Sequence, residues 1–304
     1  MRQIITSALF ASIIISTVQP ISAAENISNS KEIKETTEQK SSSNADSKTE
    51  EGEKINPPAE NITPKPNLPA NYYQQLGIPG IKQAWSPLDY LNTANILSSL
   101  AKQKLQNIPH YGDPIGRPYM QHMVDGKNFY NTLRFASTHE QRLELIMMYL
   151  DGVQRIFAVY QQALNQSYPY YAEWIDIIGL SSYLAALSQP EWDYYLQQAT
   201  ANNPQAFNNP ELDQKIQAIT LLQTALVNPV ITGVQALPKM PAPLAWRLLQ
   251  QLNYSLPIYA GSLPLDALEQ LQQAFTQAYQ QSKDARVREA IRQMITQLYN
   301  SARI

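Results

Sequence analysis

The chain has 304 residues, with 23 basic side chains, 25 acidic ones and no cysteine. The lack of cysteine excludes disulfides, thiol nucleophiles, thiolate metal sites and a lipidated cysteine behind an export signal. Residues 25–66 hold six Lys against nine Asp or Glu, while residues 67–304 hold 16 basic and 16 acidic side chains. Phosphate neutralisation supplies most nucleic-acid affinity and demands a basic excess, so nucleic acid is not an expected partner.

The N-terminus has the pattern of an export signal. Arg2 precedes an uncharged stretch from Ile4 to Val18, Pro20 breaks it, and Ser22 and Ala24 supply small residues at −3 and −1 for cleavage after Ala24. Residues 1–24 are therefore expected to be a signal peptide, with retention as an anchor as the alternative. The absence of cysteine fits a bacterial envelope better than a disulfide-stapled secreted domain. The expected address is periplasmic, with a secreted or inner-membrane-anchored protein as the alternatives.

Residues 25–70 are charged and proline-rich, with Pro57, Pro58, Pro64, Pro66 and Pro69 near the end. Such a composition cannot bury enough apolar surface to offset the entropy of ordering, so a disordered linker is expected. The body, residues 71–304, is expected to be all-α. It would be an irregular multi-helix bundle, or alternatively a short α-solenoid of helix pairs.

Ser86 and Pro87 open the first long helix, which carries Leu88, Leu91, Leu97, Leu100 and Leu105 and ends by Pro109. Thr138 and Gln141 form a capping box for a helix reaching Leu164 that is apolar nearly all round, as befits the middle of a bundle. Pro190, Pro210 and Pro264 are each expected to start a helix. Pro229 to Pro243 is expected to be a loop that turns at Gly233. Leu265, Leu268, Leu271, Phe275 and Tyr279 form one apolar stripe, and Val287, Ile291, Met294, Leu298 and Ala302 the next. The start of this last helix, Asp284 to Arg288, resembles the second helix of a HEAT-type repeat over roughly 40 residues, with no such period recurring upstream.

Three groups of residues are candidates for function. His110 with Asp113 and His122 with Asp125 are two H-x-x-D pairs in the least regular stretch, residues 108–128. Neutral imidazole nitrogens and hard carboxylate oxygens can hold a metal together, and Arg117 beside them can clamp an anion. Tyr168, Tyr170, Tyr171, Trp174, Trp192, Tyr194 and Tyr195 cluster near two helix junctions and offer stiff contact area for binding. Glu144 and Glu173 lie on apolar stretches, where burial would raise a carboxyl pKa; base rates for charged residues place them outward. No nucleophile elbow, zincin helix, phosphate loop or dinucleotide fingerprint is present, and no cofactor is expected.

A hydrophobic N-terminus, a biased linker and a helical body are together similar in layout to membrane-anchored lipase foldases. That similarity implies a chaperone for another exported protein, although the F-D-Y-based helix motif of that family is not found in this chain. The expected function is protein binding in the envelope, as an adaptor or chaperone. The alternative is a hydrolase of peptidoglycan or phospholipid that uses the 108–128 stretch.

Overall fold

A computed structural model describes residues 68–200 and 209–301. The expected signal peptide, almost all of the expected linker, and Ala302 lie outside the described residues. Within them the chain is all-α, with ten α-helices and no strand. In chain order these are α1 (Tyr72–Gln75), α2 (Pro87–Gln103), α3 (Gly116–Met123), α4 (Gly126–Leu133), α5 (His139–Asn165), α6 (Tyr171–Thr200), α7 (Pro210–Ala236), α8 (Ala242–Tyr259), α9 (Leu265–Gln281) and α10 (Ala285–Ser301).

Local chemistry sets several of the starts. The Ser86 hydroxyl accepts from the Asp89 N–H at 3.1 Å, and the Asp89 carboxylate accepts the Ser86 N–H at 3.0 Å, a complete capping box for α2. At α5 the Thr138 hydroxyl accepts from the Gln141 N–H at 3.1 Å, but the Gln141 side-chain oxygen Oε1 takes the N–H of Ser137, one residue before the expected one. The Asn209 side chain caps α7 ahead of Pro210.

From α4 onward, successive helices alternate between two rows. The first row runs α2, α5, α7, α9, and the second runs α4, α6, α8, α10, each helix packing on the next in its row. Cross-packing of α5 on α6, α6 on α7 and α9 on α10 joins the rows. This two-row stacking follows the short solenoid of helix pairs more closely than an irregular bundle, although α7 and α8, consecutive in the chain, make little contact with each other. No sequence period marks it because the pairs are unequal: α5 and α6 have 27 and 30 residues, α9 and α10 only 17 each.

Close approach of α2 to α5 depends on Gly152. A Cβ there would lie 2.5 Å from the buried Tyr90 ring, which Phe129 and Tyr149 hold edge-on at 5.0 and 5.8 Å between centroids.

Two expectations about proline are corrected. Pro190 lies inside α6 and does not start a helix. The expected loop from Pro229 to Pro243 is largely helical, because α7 continues through Pro229 to Ala236. Proline removes a donor from the helix ladder. Here the Ser181 hydroxyl of α6 donates to the Leu226 carbonyl at 2.7 Å, one turn ahead of Pro229. Val230 and Val234 are fully buried, so packing holds the helix that local propensity would end. Gly233 is not at a turn but admits Ile178 and Leu248.

Among the described residues, Pro210–Lys239 alone contains an 18-residue window apolar enough to cross a membrane by length and composition, which the sequence pattern does not single out. Of that window, 56% is buried, against α6 and α9 among others.

Candidate functional site

The stretch from Ile108 to Asn128 is more regular than its glycines and prolines suggest, since it contains α3 and the start of α4. Its candidate ligands are used locally. The Asp113 carboxylate accepts the N–H groups of Ile115 and Gly116, at 3.1 and 2.8 Å. Asp125 caps α4 by accepting the Lys127 N–H at 3.0 Å. The His110 ring stacks on Tyr170 at 4.8 Å, and its Nδ1 accepts the Gly112 N–H at 3.1 Å. The His122 ring sits edge-on to Trp85 at 4.6 Å, and burial lowers its pKa. Among the described residues, no three His, Cys, Asp or Glu side chains gather where they could share a metal.

Tyr111 joins this stretch to the body. Its N–H donates to Glu173 Oε1 at 2.5 Å, and its hydroxyl donates to Asp176 in a short bond. Arg117 Nε donates to the Tyr111 carbonyl at 2.8 Å, so the expected anion clamp holds the loop. Asp176 also receives Arg247 Nε at 3.1 Å, Arg247 Nη2 at 2.5 Å and Gln251 Nε2 at 2.6 Å. Gln251 reaches it over Gly179, where a Cβ would lie 2.3 Å from the Gln251 amide oxygen. The short hydroxyl bond of Tyr160 to the Pro109 carbonyl completes the attachment. This network spends Asp176 on structure: it ties the loop before α3 to α6 and α8.

Glu173 is buried and Glu144 is exposed. Burial is the largest cause that pushes the Glu173 carboxyl above its ordinary 4.5, opposed by the Tyr111 N–H. The folded state then holds the proton more tightly than the unfolded chain. This group's contribution to stability is full below pH 4.5 and is lost as pH rises through the folded value. Glu173→Gln keeps an acceptor for Tyr111 and removes the titration. Denaturant midpoints measured above pH 4.5 should therefore fall less steeply in the variant than in the parent; parallel curves would contradict this.

No protein-family model, curated protein or solved structure matches this chain. What it can do therefore rests on its own surface.

The seven aromatic candidates do not form one platform. Tyr170, Trp174 and Tyr195 are buried, Tyr168 and Trp192 half-buried, and only Tyr171 and Tyr194 are exposed. Trp174 and Tyr194 lie on one helix about 30 Å apart along its axis. At the far end the Tyr194 ring stacks on His139 at 3.8 Å. His139 Nδ1 is in turn 3.3 Å from Glu191.

Sequence reasoning missed a different aromatic group, in the second row. Tyr254, on α8, is 73% exposed, and Tyr130, Ile258 and Tyr299 are each half exposed. Burial is the largest cause that raises the pKa of the half-buried Tyr183 of α6, with Tyr254, Tyr130 and Asp125 within electrostatic reach adding to it. Tyr183 on α6 therefore lies near Tyr130 on α4 and Tyr254 on α8, on three consecutive helices of one row. Gly126 makes the contact possible, since a Cβ there would lie 2.5 Å from the Tyr183 ring.

Proposed function

We propose that this chain is an exported envelope protein, periplasmic, whose helical body binds another exported protein through the second row, as an adaptor or chaperone. The observation that carries the reading is the set of large apolar side chains left open on adjacent helices of that row: Tyr130 and Tyr254 near Tyr183, with Ile258 one turn beyond Tyr254 on α8. Contiguous exposed apolar area of this kind marks interaction surfaces, and Tyr supplies stiff contact area with a polar handle. Stacked helix pairs offer an extended binding surface. The N-terminal pattern of Arg2, Ile4 to Val18 and Ser22 to Ala24 supports export.

The test is crosslinked capture of the tagged full chain from its native envelope, with the mature N-terminus read by the same mass spectrometry. One stoichiometric exported partner is expected, with the mature chain beginning at Glu25; a retained N-terminus would make it an anchored chaperone. A full-length chain in the cytoplasmic fraction with no partner would overturn the reading.

A further inference from the structure

The second row continues to a cleft between α8 and α10. Trp246, Ala285, Arg286, Glu289, Ala290 and Gln293 line an open volume of about 360 Å³. The α10 residues share one helix face, while Val287, Ile291, Met294 and Leu298 turn into the core. Trp246 is 45% exposed, whereas Trp85 and Trp174 are buried and Trp192 is half-buried.

Charge at this cleft is unevenly matched. Glu289 is its one acid, and Arg292 takes both carboxylate oxygens, Nε at 2.8 Å and Nη2 at 2.6 Å. Gln293 Nε2 adds a bond at 3.2 Å. These bonds hold the Glu289 carboxyl well below the usual range. Asp284 is spent as the cap of α10, accepting the N–H groups of Arg286 and Val287 at 2.9 Å each. The side chains of Lys283, Arg286 and Arg288 are exposed and have no ion pair or hydrogen bond among the described residues. At the cleft itself the one acid is thus occupied and the one lining base, Arg286, is not, with Lys283 and Arg288 outside the lining.

Building on the protein-binding reading, we infer that this cleft takes an acidic peptide segment of the partner. An apolar side chain of the segment seats against Trp246 between Ala285 and Ala290, and a neighbouring carboxylate pairs with Arg286. Guanidinium and carboxylate match as a two-bond fork. An exposed indole beside an unpaired Arg combines two residue types enriched where binding energy concentrates. The α10 N–H groups play no part, because Asp284 already occupies them.

The test uses the full chain, a blocked peptide alternating Asp-Glu with Leu-Phe pairs, the same peptide with Lys for each acid, and inorganic tripolyphosphate. Tryptophan fluorescence reports on Trp246, and calorimetry gives affinities. The acidic peptide is expected to change the fluorescence, Trp246→Phe to abolish that change, and Arg286→Ala with Arg288→Ala to weaken binding at least tenfold with an unchanged melting temperature. The lysine peptide and tripolyphosphate are expected not to bind. Silence with the acidic peptide, equal binding of the lysine peptide, or comparable binding of tripolyphosphate would each overturn the inference. Native capture by the Arg286→Ala, Arg288→Ala variant separates the two claims. Capture that persists at parent level leaves the protein-binding reading standing and sinks the acidic segment.

Discussion

Replacing Arg142 with methionine is expected to destabilise the helical body by about 3 to 5 kcal/mol. Glu191 is fully buried in the middle of α6, and its carboxylate depends on Arg142 Nε at 2.6 Å. Arg142 Nη1 also donates to the Leu133 carbonyl at 3.1 Å, so the guanidinium ties the end of α4 to α5 and α6. The second Glu191 oxygen, Oε2, has no hydrogen-bond partner. Removing the arginine leaves a buried charge with only the half-exposed His139 nearby, at 3.3 Å. For a body of this size, the loss corresponds to a fall in Tm of about 10 °C. The double variant Arg142→Met, Glu191→Met should recover most of it, because apolar replacement of both partners is often neutral. Thermal melts of the two variants decide the matter. A single variant within 1 kcal/mol of the parent, or a double variant no better than the single, would contradict the assignment.

Trp174→Ala is expected to cost a further class of interaction, about 3 to 5 kcal/mol of packing. The indole is buried near the start of α6 and stacks on Phe157 of α5, with centroids 6.0 Å apart. It anchors the α5/α6 pair close to Glu173 and Asp176, so its loss should also loosen the Tyr111 attachment. Its Nε1–H has no hydrogen-bond partner, and an unpaired buried donor is itself costly. Trp174→Phe removes that donor and keeps an aromatic face for Phe157. It should therefore cost less than half as much as the alanine change. Equilibrium urea unfolding of both variants tests this; equal losses would show that the indole edge carries the packing.

How much of this was legible in the sequence follows from range. Ser86, Thr138 and Pro210 mark helix starts correctly because capping is settled within three residues. The stripes ending the chain read well in their centres: Leu268, Leu271 and Phe275, then Val287, Ile291, Met294 and Leu298, are buried, but Leu265 and Tyr279 at the two ends of the first stripe are exposed. Pro229 misleads because Ser181 and packing from other helices hold α7 intact, and Pro190 misleads because it lies within α6 beside the buried Ser188 and Glu191. The two-row stacking leaves no period to find, since its helix pairs differ so much in length.

At the candidate site, Glu173 stands out in sequence as a carboxylate on an apolar stretch. Asp176 does not, because its meaning comes from Arg247 and Gln251, 71 and 75 residues away. The H-x-x-D pairs look like ligand sets by type, but each aspartate sits where a helix start needs an acceptor. Tyr254 and Ile258 lie off the stripe Ala245, Leu248, Leu249, Leu252, Leu256 and Tyr259 that α8 buries, but their own helix does not say which aromatic residues of other helices they sit beside. Only the packing of α8 on α6 and α10 does.

The central claim is that the second row is the binding face. It is tested most directly by placing a photo-crosslinking amino acid at position 254 and, separately, at position 221 of the otherwise intact chain in its native envelope. Leu221 is as open as much of the second row, at 53% exposed, but lies on α7 in the first row. A single exported partner crosslinked from position 254 and not from 221 is the predicted result. Crosslinks from 221 alone, or none from 254 while the protein is present and folded, would contradict it.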